Sequence, residues 1–248
     1  RRRPARLRAA GRGGQGSGLT DSVMPNHYGS KEHNIISHSS TVSTQYTLAT
    51  GVAYGAQLGK KDYVTLATTG EGSANQGEVQ EAMNFAGVKK LPLIFVIENN
   101  GYAISVGRDE QYASEKLSDR GPAFGMTGIQ VNGNDFVESY LAFKKVVEDA
   151  RKGLGPALVE LMVTRLTSHS ADDDHTVYRS KEDIDNLKKN DGLLLFEKQL
   201  IDEGYLTREQ MKEIDDELKK EINQATDEAE AMPDPKAKDM LKEVYASK

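Results

Sequence analysis

The stretch from Thr68 to Tyr102, TTGEGSANQGEVQEAMNFAGVKKLPLIFVIENNGY, constrains the fold more than any other part of the chain. Thr65 to Thr69 closes one strand, Gln76 to Val88 repeats Val79, Met83, Phe85 and Ala86 at helical spacing, and Leu93 to Ile97 is a short continuous apolar run. Strand, helix and strand of these lengths predict a βαβ unit, whose strands run parallel and therefore end on the same side of a sheet. Ligands of such sheets bind beyond the carboxyl ends of the strands. Gly70-Glu71-Gly72 follows the first strand and Asn99-Asn100 the second, with roughly 26 residues between them, a normal span for the unit. Glu71 offers an anionic oxygen, Asn100 a neutral one, and the turn a backbone carbonyl. That donor set suits a hard cation such as Mg²⁺ bridging to a bound diphosphate. A plain acidic turn would also account for Glu71; the Asn-Asn pair at the next strand exit favours the metal.

The rest of the chain extends the same pattern. Thr41 to Leu58 brings Val42, Ala49, Val52, Ala53 and Ala56 together at helical spacing, with Gly59 as a stop. Tyr102 to Val106 is short and extended, and Ser114 to Arg120 is expected to cross the surface. Ile129-Gln130-Val131 predicts a third strand, and Asn132 to Asp135 a turn that caps a helix carrying Val137, Tyr140, Leu141, Lys144 and Val147. Gly153 and Gly155-Pro156 end that helix, and Ala157 to Thr164, ALVELMVT, is apolar enough for a fourth, buried strand. Alternating strands and helices predict an α/β class fold, a doubly wound, mostly parallel sheet. Beyond a polar loop from Arg165 to Ser180, helices are expected over Lys181–Asn190, Leu193–Glu203 and Arg208–Glu230, with Thr207 and Gln210 forming a capping box. Met232-Pro233-Asp234-Pro235 breaks the last helix before a short segment from Lys236 to Tyr245. The expected organisation is a disordered or non-native tail over 1–23, an α/β domain over 24–180, and a helical extension over 181–248 packed on that domain.

Composition bounds the function. A length of 248 residues supports a substantial α/β core, and a net charge of −6 argues against a generic nucleic-acid surface. Cysteine is absent, which excludes disulfides and thiolate metal sites. No apolar run approaches the roughly 20 residues of a membrane span. Arg1 to Gly18 is rich in arginine and glycine without periodicity, and Met24 is an alternative first residue. His27, His33 and His38 invite a metal reading, but their spacing matches no helical ligand pair. An NAD-binding reading shares the doubly wound pattern and finds an acidic residue, Glu98, at the second strand's end. Its glycine fingerprint is broken, because Gly70-Glu71-Gly72-Ser73-Ala74-Asn75 ends in Asn.

The run Gly-Glu-Gly-Ser-Ala-Asn-Gln-Gly, followed at the stated distance by Glu-Asn-Asn-Gly-Tyr-Ala-Ile-Ser, resembles the thiamine-diphosphate motif of the α subunits of 2-oxo-acid dehydrogenases. The similarity runs from about Met24 onward through MPNHYGSKEHNIISHSS, VNGND and the stretch Arg165 to Asp174, and it is closest to the branched-chain (2-oxoisovalerate) type. The resemblance implies the thiamine-diphosphate-binding fold and oxidative decarboxylation of a small-molecule 2-oxo acid, with acyl transfer to lipoyl groups. It implies that Glu71, Asn100 and the Tyr102 carbonyl hold Mg²⁺, that Gly70, Gly72, Ser73, Arg165 and His169 bind the cofactor, and that His169 also lines the reaction channel and manages protons. Ser39, Thr41, Thr44 and Gln45 fall where the branched-chain type resembles a K⁺ site, although Ser and Thr there also suit helix caps. Ser170 and Ser180 resemble kinase targets of animal relatives, and Tyr178-Arg179 could instead hold the loop closed on cofactor. The glutamate that activates the cofactor's aminopyrimidine comes from the β subunit in this family. An E1 β partner in an α₂β₂ heterotetramer and a lipoylated E2 acyltransferase are therefore implied, in the cytoplasm of a bacterium or the mitochondrial matrix of a eukaryote. Pyruvate and acetoin dehydrogenase α subunits are the nearest alternatives, and a truncated, non-catalytic binding module is one of another class.

Overall fold

The computed structural model describes residues 27, 29–37 and 39–233. The tail over 1–23, Met24, His38 and the segment from Lys236 to Tyr245 lie outside the described residues. The described residues fall in two compact units, one over Thr41–Glu203 and the other taking the described residues up to Ser40 and from Gly204 on.

The first unit opens with helix α1 (Thr44–Leu58), strand β1 (Thr65–Gly70), helix α2 (Gly77–Lys89) and strand β2 (Leu93–Asn99). A two-strand hairpin follows, β3 (Tyr102–Ala103) with β4 (Val106–Gly107), then helix α3 (Arg120–Ala123). Strand β5 (Thr127–Asn132), helix α4 (Phe136–Arg151) and strand β6 (Ala157–Met162) complete the sheet, and helices α5 (Lys181–Leu187) and α6 (Gly192–Asp202) come after the polar loop. Both of these last helices belong to the same unit as the sheet.

The four long strands are all parallel, in the order β1-β2-β6-β5. Side chains alternate across the pleat, so β2 feeds both faces. Leu93, Phe95 and Ile97 enter one core with Tyr46, Ala49 and Ala53 of α1 and Val79, Ala82, Met83 and Ala86 of α2. Ile94 and Val96 enter a second core with Val146 and Ala150 of α4. Helices on opposite faces make the sheet doubly wound, as the alternating pattern predicted. Fully burying one of these large β2 side chains stabilises the fold by about 1.5–3 kcal/mol. The Tyr46 hydroxyl donates to the Val96 carbonyl at 2.7 Å, and burial holds its phenol far above the usual range.

Several sequence expectations need correction. Phe85 is exposed and meets Tyr54 edge-on, while Ala82 takes its place in the buried stripe, because 79, 82, 83 and 86 lie on one face at 3.6 residues per turn. Helix α4 carries two apolar stripes, and the sheet receives Ala142, Phe143, Val146, Val147 and Ala150, leaving Val137, Tyr140 and Leu141 exposed. The Ser114–Arg120 segment does not simply cross the surface, since Leu117 and Ser118 are buried. Helix α1 starts at Thr44 rather than Thr41. In the other unit, helix α7 (Arg208–Glu230) begins with the expected capping box: Thr207 Oγ1 accepts from the Gln210 N–H at 3.2 Å, and Gln210 Oε1 accepts from the Thr207 N–H at 2.8 Å.

Among the described residues, no helix is long and apolar enough to cross a membrane.

Candidate active site

Strand register assembles the first half of the site. Gly70 pairs with Glu98, so Glu71 leaves β1 beside the exit of β2. There Glu71 Oε2 accepts from the Asn100 backbone N–H at 3.2 Å and from Asn100 Nδ2 at 3.4 Å. Asn100 Oδ1 in turn accepts from the Tyr102 N–H at 3.3 Å. Glu71 is 1% exposed, and its Oε1 is buried with no hydrogen-bond partner. Burial pushes its carboxyl above the ordinary range; backbone N–H groups of Glu71, Asn100 and Tyr102 and the charge of Arg165 oppose that shift. A buried carboxylate oxygen without a donor is costly, and a cation beside it would remove the cost. The donor set therefore fits a hard divalent ion. To join Glu71 as an oxygen ligand, Asn100 must turn its carbonyl toward the metal and release the Tyr102 N–H.

Gly72 is required by close approach rather than by backbone angle. A Cβ there would lie 2.4 Å from the Ala103 Cβ, so only glycine lets the β3–β4 hairpin close over the turn. The hairpin itself is strained, because Ile104 has φ 58, a conformation that β-branched residues strongly avoid. Helix α2 does not start at Gly72. A 3₁₀ turn over Ser73–Asn75 intervenes, and the α-helical N-terminus falls at Gly77. The Ser73 carbonyl accepts from Ser43 Oγ at 2.5 Å. Ser43, buried at the N-cap position of α1 with φ 72, therefore ties that helix to the turn instead of capping it.

The second half is the loop after β6. Arg165 Nη2 donates to the Ile104 carbonyl at 2.9 Å and to the Tyr178 hydroxyl at 2.7 Å. Its Nε and Nη1 are buried with no partner. Tyr178 donates onward to Asp173 Oδ2 at 2.5 Å, and the same oxygen accepts from the His169 backbone N–H at 2.7 Å. The Tyr178 bond, the His169 N–H and nearby positive charge hold the Asp173 carboxyl below the ordinary range. Burial and Asp173 push the Tyr178 phenol up. The guanidiniums of Arg165 and Arg179 lie 5.6 and 4.7 Å from the Tyr102 ring centroid. Arg179 is buried, donates through Nη1 to the Arg165 carbonyl at 2.8 Å, and leaves Nε without a partner.

Glu71, Asn100, Tyr102 and Arg165 are thus brought together. His169 is exposed, and its described link to them runs through its backbone and Asp173. Among the residues expected to hold K⁺, Thr44 Oγ1 donates to Glu78 Oε1 at 3.1 Å and Gln45 Nε2 to the Thr68 carbonyl at 2.9 Å. Ser39 falls in the other unit. Ser180 caps α5, accepting from the Asp183 N–H at 3.1 Å and donating to Asp183 Oδ2 at 2.7 Å, while Ser170 is exposed. The rings of His27 and His33 each contact a serine hydroxyl, of Ser40 and Ser30, at 2.7 Å.

Glu71 Oε1 without a donor and Arg165 Nε and Nη1 without acceptors thus belong to one charged neighbourhood. The sequence profile of the dehydrogenase E1 component family matches residues 7–238. The chain belongs to that family. Within it, the chain is 47% identical over 223 residues to the 2-oxoisovalerate dehydrogenase subunit alpha of Bacillus subtilis, covering 90% of this chain and 68% of that one. It is 34% identical to the human mitochondrial 2-oxoisovalerate dehydrogenase subunit alpha, covering 90% of this chain and 50% of the relative. It is 37% identical to the pyruvate dehydrogenase E1 component subunit alpha of Bacillus subtilis, over 86% of this chain and 57% of the relative. The chain thus spans about half to two thirds of the length of these E1 relatives.

Sequence reasoning passed over Ser43 and Glu160, and it used Asn99 only as part of the Asn-Asn pair. Glu160 is the clearest of these, because a lone carboxylate inside the apolar strand ALVELM is a visible anomaly.

Proposed function

We propose that this chain is the α subunit of a thiamine-diphosphate-dependent 2-oxo-acid dehydrogenase E1 component of the branched-chain type, working with a β subunit and passing its acyl group to a lipoylated acyltransferase. One observation carries the reading of the site: Glu71 Oε1 lacks a donor while Arg165 Nε and Nη1 lack acceptors, which is the complement of a divalent metal bound to a diphosphate. The substrate class follows the 47% identity to the 2-oxoisovalerate dehydrogenase subunit alpha, against 37% to the pyruvate relative.

In this reading Glu71, Asn100 and the Tyr102 carbonyl take Mg²⁺, and Gly70, Gly72 and Ser73 bring the backbone against the diphosphate. Arg165 holds diphosphate oxygens with its two unpaired N–H groups. Thiamine diphosphate, when bound, supplies the electron sink that decarboxylation of a 2-oxo acid requires. His169, on the exposed side of the loop, serves proton transfer during acyl delivery to the lipoyl group. Tyr178, Asp173 and Arg179 set the loop that carries it. The proton chemistry at the far end of the cofactor falls to the β subunit, so the α chain alone is catalytically incomplete.

The test is turnover by the chain assembled with its β subunit, in the presence of Mg²⁺, thiamine diphosphate and a lipoyl acceptor. Higher kcat/KM for 2-oxoisovalerate than for pyruvate is expected. A preference for pyruvate would move the substrate class, and an assembled complex inert toward both would overturn the reading.

A further inference from the structure

We infer that Glu160 is a positioning residue for the metal end of this site and acts on it through Asn99. The inference rests on the proposed function for the identity of the ligand.

Glu160 sits on the central strand β6 with none of its surface exposed. Its register partners are Ile97 on one side and Gln130 on the other. It shares the face of Leu158, two residues away, and so points into the core beneath α1 and α2. Asn99 lies on the same face, two residues beyond Ile97, which puts the two side chains side by side near the carboxyl edge. Both Glu160 oxygens are taken: Oε1 accepts from Asn99 Nδ2 at 2.8 Å, and Oε2 from the buried Ser118 N–H at 3.0 Å. A carboxylate in an apolar strand is retained against a desolvation cost, and an apolar residue of similar volume often serves stability as well or better.

The reason for the carboxylate lies in what Asn99 does. Asn99 is 1% exposed; its amide donates to Glu160 and to the Tyr112 hydroxyl at 2.9 Å, and its Oδ1 accepts from the Gly101 N–H at 3.0 Å. Two acceptors on the donor side fix which way the amide faces, so its oxygen must point at Gly101. Gly101 has φ +82 and forms the bend between Asn100 and Tyr102, the two residues that face Glu71. The path from Glu160 to Asn99, to the Gly101 bend and then to Asn100 and Tyr102 fixes the two neutral metal donors from below. Glutamine cannot replace Glu160 cleanly. Its one carbonyl can serve either Asn99 or Ser118, and its NH₂ then faces a second donor, which either strands the Ser118 N–H or reverses Asn99 and releases Gly101.

The test uses the chain assembled with its β subunit, loaded with thiamine diphosphate and titrated with Mn²⁺ by electron paramagnetic resonance. Glu160→Gln, Asn99→Ala and the double variant are compared with wild type. Outer-shell partners of metal sites typically contribute about 10–100-fold to affinity, and a loss in that range is expected for each single variant. If Glu160 acts through Asn99, the double variant binds Mn²⁺ no more weakly than Asn99→Ala; a merely structural role makes the two losses multiply. Wild-type affinity in Glu160→Gln, or multiplied losses in the double variant, would overturn the inference. Should Glu160→Gln not fold, Glu160→Leu takes its place in the same cycle with Asn99→Ala: Mn²⁺ binding weakened in each single variant and no weaker in the double variant than in Asn99→Ala supports the path, and unchanged binding in Glu160→Leu or multiplied losses reject it. Wild type that fails to take up Mn²⁺ with the cofactor sinks the site assignment as well, whereas wild type that binds beside an unaffected Glu160→Gln sinks only this link.

Discussion

The two halves of the site are built on different principles. Glu71 and Asn99 are each 1% exposed and stand where parallel strands end, so sheet register and backbone N–H groups place them. Arg165, Asp173 and Tyr178 stand in the loop after β6 and place one another through side chains. The first half is as rigid as the core beneath it. The second is held by polar contacts of the loop with itself and with the Ile104 carbonyl. One half is placed by the sheet, the other by contacts among its own side chains.

Three variants sharpen that contrast. Glu71→Gln should have the largest effect, weakening Mg²⁺-dependent cofactor binding by more than the ~100-fold upper range of outer-shell changes, as read by calorimetry. The same variant should stabilise the metal-free protein at neutral pH. Burial raises the folded carboxyl above its unfolded value, so the stability of the metal-free chain is greatest below the ordinary glutamate range and falls as pH rises through the raised value. Glutamine removes that loss, and melting should rise by about 2–4 °C for each kcal/mol recovered. A metal-free melting point that is lower in the variant would mean that Glu71 does not carry that burial cost.

His169→Ala should come next. Positioned acid–base groups contribute roughly 10²–10⁴-fold, so acyl transfer to lipoamide should fall within that range while cofactor affinity stays at the wild-type value. Matched losses in both would place His169 in binding instead. Asp173→Asn should have the smallest effect, a few-fold faster proteolysis of the 165–180 loop with Mg²⁺ affinity unchanged. In the wild type, Asp173 has a folded carboxyl below its unfolded value. Loop protection is therefore fully present above the ordinary aspartate range and lost only as pH falls through the depressed value. Protection that instead disappears near neutral pH would point to a histidine as the controlling group.

What the sequence made legible follows the same division. The βαβ unit, the carboxyl-edge location and the Glu71–Asn100 pair were readable because periodicity and spacing dictate them. Which stripe of α4 faces the sheet was not, since both stripes are apolar and only the second core chooses between them. Leu117 and Ser118 lie in a segment whose charged neighbours mask its burial. The close approach that requires glycine at position 72 depends on Ala103, which lies across a hairpin that no local pattern specifies. The contacts of Arg165, Tyr178 and Asp173 depend on rotamers in an irregular loop, and periodicity carries no information there.

The unpaired atoms of Glu71 and Arg165 bear on stability as well as on binding. Each buried polar atom without a partner costs about 1–3 kcal/mol, against a total stability of about 5–15 kcal/mol for a domain. A ligand that satisfies them adds about 2.7 kcal/mol when present at 100 times its dissociation constant. In a cell, one or two kcal/mol changes the steady-state amount of a protein several-fold. The amount of this subunit should therefore follow the supply of its own cofactor, and vitamin depletion should lower its abundance by degradation before any change in its synthesis.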